Sequence, residues 1–288
     1  MGAGSSDIIR NFPNTYLAPG EVAVIPRPSF AEYAHQCIIA GATVRKMELS
    51  VDNDLRLDRE DITEHITGAK ALYICNPNNP TGRIEPRDKI LSIVKECLDS
   101  NVLVFLDETL LELVPGHEDV SCVKYVDEYP NLVVAGSLTK SFAIPGIRIG
   151  FGFGSPDTVA EMEKVRMTWN VGYAEQSIAA VLIKERMDYV YDAAEVMAEE
   201  SAIMNERLSE IGFTDGDVSD SFFYFRSVEH LGINASEVNR RMMKEGVTLR
   251  DCASFGEPYD KYVRYSVKDC VRNEKFIKAA ESVVKSLR

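Results

Sequence analysis

The chain has 288 residues, long enough for one large domain with a smaller one attached. Its 32 basic and 45 acidic side chains leave a net charge of −13 with no basic stripe, which argues against a nucleic-acid partner. No apolar run reaches the roughly 18 residues that a membrane span needs, so no membrane partner is expected.

The opening Met1-Gly2-Ala3-Gly4-Ser5-Ser6-Asp7 lacks the basic start and apolar core of a secretory signal, which implies a cytoplasmic location. Six cysteines and four histidines are scattered without metal-ligand spacing, so reduced thiols and no metal are expected. From residue 20 to about 155, short apolar runs alternate with amphipathic segments. Strands are predicted at Glu21–Ile25, Thr43–Met47, Ala71–Cys75, Leu103–Leu106, Leu132–Ala135 and Ile147–Phe151, with helices over Ala31–Ala40, Asp58–Ile66 and Pro86–Ser100. This alternation implies an α/β fold with a mainly parallel central sheet flanked by helices, whose ligand groups gather at the carboxyl ends of the strands.

Helices follow over Pro156–Arg166 and Ala174–Ile211, the second broken near Arg186 and stopped by Gly212. The remainder reads strand Phe222–Phe225, helix Ala235–Lys244, strands Val247–Arg250 and Tyr262–Val267, and helix Arg272–Ser286. That pattern suits a smaller C-terminal α+β domain, giving a large domain over 1–172 and a bridging helix plus small domain over 173–288.

Five stretches carry chemistry. Gly4-Ser5-Ser6 at a helix start suits a phosphate, or is a flexible terminus. Cys75-Asn76-Pro77-Asn78-Asn79-Pro80-Thr81-Gly82 follows a buried strand, and its asparagines fix either the turn or a ligand. Asp107 and Glu108 end another strand, facing solvent or a cation in a cleft. Lys140, in Ser137-Leu138-Thr139-Lys140 and ahead of Pro145-Gly146-Ile147-Arg148, is either a surface charge or, between apolar segments, a partly buried nucleophile. Arg250 and Arg264 lie on late strands, as paired core ions or as forks for a carboxylate or phosphate.

Taken together and in this order, these stretches resemble the fold-type I pyridoxal-phosphate enzymes of the class I/II aminotransferase family over essentially the whole chain. The resemblance implies pyridoxal 5'-phosphate as cofactor, a homodimer, and a small amino-acid phosphate as substrate. It also implies Lys140 as the catalytic Schiff-base lysine, Asp107 as the partner of the pyridine nitrogen, Asn79 as donor to the ring hydroxyl and Phe30 as the aromatic ring on the cofactor face. Gly4, Ser5, Ser6, Ser137 and Arg148 would hold the cofactor phosphate, and Arg250 and Arg264 the anionic groups of the substrate.

Met167-Thr168-Trp169-Asn170-Val171 and Arg250-Asp251-Cys252-Ala253-Ser254-Phe255 are similar to threonine-phosphate decarboxylases, relatives of the histidinol-phosphate aminotransferases. Decarboxylation of L-threonine O-3-phosphate is therefore the first expectation, and transamination of histidinol phosphate or another amino acid the alternative. A non-catalytic shortened paralogue is a third. Leu110 stands where many members have a tyrosine, and Gly172 where the decarboxylases tend to have asparagine, with Asn170 as the nearest polar substitute. Relatives also carry an N-terminal arm ahead of the phosphate loop, where this sequence starts.

Overall fold

The structure, a computed structural model, describes residues 1–288. Two compact units emerge, one of Met1–Asn79 with Arg83–Asp192, the other of Pro80–Gly82 with Ala193–Arg288. The division falls after Asp192, inside a helix over Met187–Glu210 that runs from the first unit into the second.

The first unit runs α1 (Ser5–Tyr16), β1 (Val22–Arg27), α2 (Ala31–Ile39), β2 (Thr43–Glu48), α3 (Arg59–Ile66), β3 (Ala71–Cys75), α4 (Arg87–Asp99), β4 (Leu103–Asp107), β5 (Leu132–Ser137), α5 (Leu138–Ser141), β6 (Gly150–Phe153), α6 (Pro156–Val165) and α7 (Tyr173–Glu185), then the start of α8 (Met187–Glu210). The six strands lie in the order β2-β1-β3-β4-β5-β6, all parallel except β6. β3, β4 and β5 are nearly continuous buried runs, as strands covered on both faces must be. β2, with Arg45 and Lys46 and mostly open positions, takes the edge.

Helix α1 seals one face. Phe12 is fully buried, with its ring 5.0 Å from Phe105 and edge-on to Tyr73 at 5.5 Å. The connection from β5 to β6 holds the single turn α5 and no crossover helix, so β6 returns antiparallel. It begins at Gly150 and not Ile147, because Arg148 takes a left-handed φ of 49° and Gly150 bridges to Gly2.

The strand order reverses between β1 and β3, since the chain leaves β1 toward β2 on one side and returns through β3 on the other. Such a switch point opens a crevice at the carboxyl ends of the strands. The residues after β1, β3, β4 and β5 converge there.

The second unit takes the rest of α8, then β7 (Phe223–Ser227), α9 (Ala235–Lys244), β8 (Arg250–Asp251), β9 (Tyr262–Ser266) and α10 (Cys270–Lys285). Its antiparallel sheet runs β7-β9-β8 over a core that includes Leu208, Phe213, Tyr224, Val263 and Val283. β8 starts at Arg250, later than Val247, because α9 closes with the Val247 N–H on the Met242 carbonyl around a left-handed Gly246. No helix is long and apolar enough to cross a membrane.

Candidate active site

Asp107, the last residue of β4, is 4 % exposed. Its Oδ1 accepts the Thr109 N–H at 2.9 Å and its Oδ2 the Tyr33 hydroxyl at 2.7 Å, and no basic side chain pairs with it. Thr109 Oγ1 is also buried and has no hydrogen-bond partner. Burial pushes the Asp107 carboxyl above its ordinary pKa, against the pull of Thr109 and Tyr33. The neighbouring Cys75 thiol, Asp107's partner across β3 and β4, is pushed up to about 12 by burial and then by that carboxylate, so it stays neutral.

Tyr33 escaped the sequence reading. It sits in α2, three residues after Phe30, and nothing in the local pattern distinguishes its hydroxyl from that of a core tyrosine. Its ring stacks on Tyr73 at 5.5 Å, and Phe30 meets it edge-on at 5.6 Å. Phe30 itself is 38 % exposed at the start of α2, which separates it from an ordinary core phenylalanine.

In the turn after β3 the asparagines divide their work. Asn76 donates to the Glu85 carbonyl at 3.0 Å and accepts the Glu85 N–H at 2.9 Å, while Asn78 donates to the Pro28 carbonyl at 3.0 Å and accepts from Ser29 at 3.1 Å. Both hold the turn. Asn79 is half-buried in the same turn, four residues beyond the end of β3.

Lys140 lies on α5, where Leu138, Thr139 and Ser141 are buried and the lysine side chain is exposed. The expected partial burial is therefore not found, because the one-turn helix turns its other three residues inward. Ser137 caps α5: its Oγ accepts the Thr139 N–H, and its hydroxyl lies within reach of the Ile149 carbonyl at 3.0 Å and of Thr139 Oγ1 at 2.9 Å. Its proton is committed within the protein.

The glycine-rich start is bonded to the beginning of β6. Gly2 exchanges backbone bonds with Gly150 at 2.9 and 3.0 Å, and Gly4, at φ 78°, precedes the first turn of α1 formed by Ser5 and Ser6. N–H groups of a first turn have no partner within their helix. The Arg148 guanidinium covers Gly4, where a Cβ would come within 2.5 Å of Nη2, and that Nη2 reaches the Ala3 carbonyl at 3.4 Å. Asp7 braces the loop from behind through Arg10 at 2.8 Å and Asn170 at 2.9 Å. Asn170 also donates to the Met1 carbonyl, so it supports this loop and does not stand in for the asparagine missing at Gly172.

In the second unit Arg250 and Arg264 are direct partners across β8 and β9. Arg250 is exposed and reaches Ser254 Oγ at 3.3 Å, while Arg264 lies 5.8 Å from the Phe223 ring. Burial lowers the Arg264 pKa, and Arg250 acts in the same direction. Like charges opposed on neighbouring strands repel, and an anion between them relieves the repulsion.

A family model described as aminotransferase class I and II matches residues 1–283. The histidinol-phosphate aminotransferase of Methanococcus maripaludis is 29 % identical over 286 residues, which are 98 % of this chain and 75 % of that protein. The enzyme of the same name from Methanopyrus kandleri is 27 % identical over 98 % of this chain and 71 % of its own. Among solved structures, the histidinol-phosphate aminotransferase from Clostridium acetobutylicum superposes with a TM-score of 0.90 at 27 % identity, covering 99 % of this chain and 83 % of that one. N-succinyldiaminopimelate aminotransferase from Mycobacterium tuberculosis shares the fold with a TM-score of 0.88 at 22 % identity over 98 % and 76 % of the two chains.

Proposed function

The chain belongs to the class I and II aminotransferases, enzymes that depend on pyridoxal 5'-phosphate, and from that premise we propose that it moves the amino group of a phosphorylated amine of the histidinol-phosphate type to a 2-oxo acid. The observation that carries this reading is Asp107, a buried carboxylate held by two donors and lacking a cation. A protonated pyridine nitrogen supplies that cation.

The rest of the first unit fits the same group. The first turn of α1 with Ser5 and Ser6, and Arg148 over Gly4, would hold the phosphate. Ser137 would assist by fixing α5, since its proton is already engaged. Phe30 would cover one ring face. Asn79 would donate to the ring hydroxyl, and Leu110 offers it no help there.

When bound, pyridoxal phosphate supplies an electron sink for the charge left as a proton leaves the substrate's α-carbon. Lys140, exposed at the strand ends, would hold the cofactor covalently and then carry that proton as a free amine. Tyr33 and Thr109 hold the Asp107 carboxylate, which would pair with the pyridine nitrogen. Arg250 and Arg264 would take the anionic groups of the substrate.

The sequence pointed first to a decarboxylase acting on L-threonine O-3-phosphate. The relatives named above are aminotransferases, which favours the transaminase alternative. The same reading keeps the cytoplasmic location and the homodimer. For the latter, Trp169 at 95 % and Tyr173 at 87 % exposure lead into α7, of whose side chains only Ala179 is buried, a surface suited to a second copy. Purified protein supplied with pyridoxal phosphate, histidinol phosphate and 2-oxoglutarate should form glutamate. Carbon dioxide release from threonine phosphate without glutamate formation would overturn the transaminase reading.

A further inference from the structure

We propose that Glu112 is a positioning residue for Lys140, acting through Ser141; the inference rests on the reading of Lys140 as the cofactor lysine. A helix of one turn fixes several backbone dihedrals for very few hydrogen bonds and does not persist without outside support. α5 has four residues, and Lys140 is the third.

Two side-chain clamps supply that support, one at each end. At the front, Ser137 caps the turn and is itself tied to the Ile149 carbonyl. At the rear, the Ser141 hydroxyl, 2 % exposed, donates to Glu112 Oε2, with the Ser137 carbonyl as a weaker second acceptor at 3.3 Å. Ser141 is the residue after Lys140, so a clamp on one restrains the backbone of the other.

Glu112 is well placed for this. It sits in a 3-10 turn over Leu111–Leu113 that follows directly from β4, with the Leu111 N–H bonded to the Glu108 carbonyl at 2.9 Å. The strand that presents Asp107 thereby reaches α5 through a few residues of bonded chain. The carboxylate for the ring nitrogen and the lysine for the cofactor aldehyde are held in mutual register by this route. After Ser141 the chain leaves through Ala143 at a left-handed φ of 52°, held by the Ala143 N–H to Lys140 carbonyl bond at 3.1 Å, by the Phe142 and Ile144 N–H bonds and by the buried Phe142 ring, which stacks on Tyr189 at 6.3 Å. The Glu112 contact is a side-chain hydrogen bond from α5 to the turn that follows β4.

The test compares Glu112→Ala, Glu112→Gln and Ser141→Ala with the wild type. In cofactor-free protein, hydrogen exchange over residues 138–143 should be about tenfold faster in the two alanine variants, as expected when an opening loses one charged hydrogen bond. With pyridoxal phosphate bound, kcat should fall about tenfold to a hundredfold in both, with KM within about threefold. Glu112→Gln keeps a carbonyl acceptor and should stay near wild type. The double alanine variant should be no worse than either single one. Thermal unfolding midpoints close to wild type show that folding is not the cause.

Glu112→Ala with unchanged exchange and kcat overturns the proposal. So does Glu112→Gln falling as far as Glu112→Ala, because charge and not the hydrogen bond would then matter. A wild type that takes up no pyridoxal phosphate sinks the cofactor reading itself, an outcome distinct from either.

Discussion

Tyr33→Phe isolates one hydrogen bond at the carboxylate on which the proposed site depends. The variant keeps the ring that stacks on Tyr73 and meets Phe30, and removes only the hydroxyl that donates to Asp107 Oδ2 at 2.7 Å. A hydrogen bond to a charged group contributes about 1.5–3 kcal/mol. Losing it from the ionised form raises the Asp107 pKa further, in the direction in which burial already pushes it. A carboxyl so shifted holds a pyridinium less well, and pyridoxal phosphate affinity should fall about tenfold to a hundredfold. The loss should grow as pH falls, because a raised pKa leaves more of the carboxyl protonated on the acid side. Absorbance titration of the cofactor-free protein measures the affinity, and a urea denaturation curve checks the fold. Equal affinity for wild type and variant at pH 6 would refute the role assigned to the phenol.

Three further outcomes are expected. Gly4→Ala places a Cβ at a φ of 78° and 2.5 Å from Arg148 Nη2, costing about 1–3 kcal/mol in backbone alone; it should weaken pyridoxal phosphate binding and leave pyridoxal binding unchanged, and equal losses for both ligands would contradict the phosphate loop. Glu108, whose pKa burial raises to about 7, is ionised in the folded state only at a cost, so its contribution to stability is present below the ordinary carboxylate range and is lost as pH rises through 7. Glu108→Gln should therefore gain about 3 kcal/mol relative to wild type between pH 4.5 and pH 8, by the shift of roughly two and a half units, and a pH-independent difference in denaturation would reject the assignment. Phe12→Ala removes a fully buried ring between Tyr73 and Phe105 and should destabilise by about 3–5 kcal/mol; a denaturant midpoint near wild type would mean that α1 does not seal the sheet as described.

The parallel strands were legible because Val, Ile and Leu runs such as those at residues 71–75 and 103–106 have no other economical use than a sheet covered on both faces. The direction of β6 was not, since it depends on the length and path of the lysine connection and on the pairing of Gly150 with Gly2. The short α5 was hidden for a related reason: its conformation is imposed by Ile149 and Glu112 from elsewhere in the chain, and four residues carry no periodicity. Asn76, Asn78 and Asn79 look alike in sequence, and only the Glu85 and Pro28 contacts show that Asn76 and Asn78 hold the turn. Tyr33 and Asn170 likewise acquire their meaning from partners far along the chain, at Asp107 and Asp7. Ser137 was read as a phosphate ligand beside Lys140; that its side chain also caps α5 depends on Thr139 and Ile149 and carries no mark in the sequence.

Covalent trapping is the most direct test of the account. Protein equilibrated with pyridoxal phosphate, reduced with borohydride and digested should yield one pyridoxyl-modified peptide, with the label on Lys140. Wild-type protein that gives no labelled peptide, or a label on another lysine at comparable yield, would contradict the central claim.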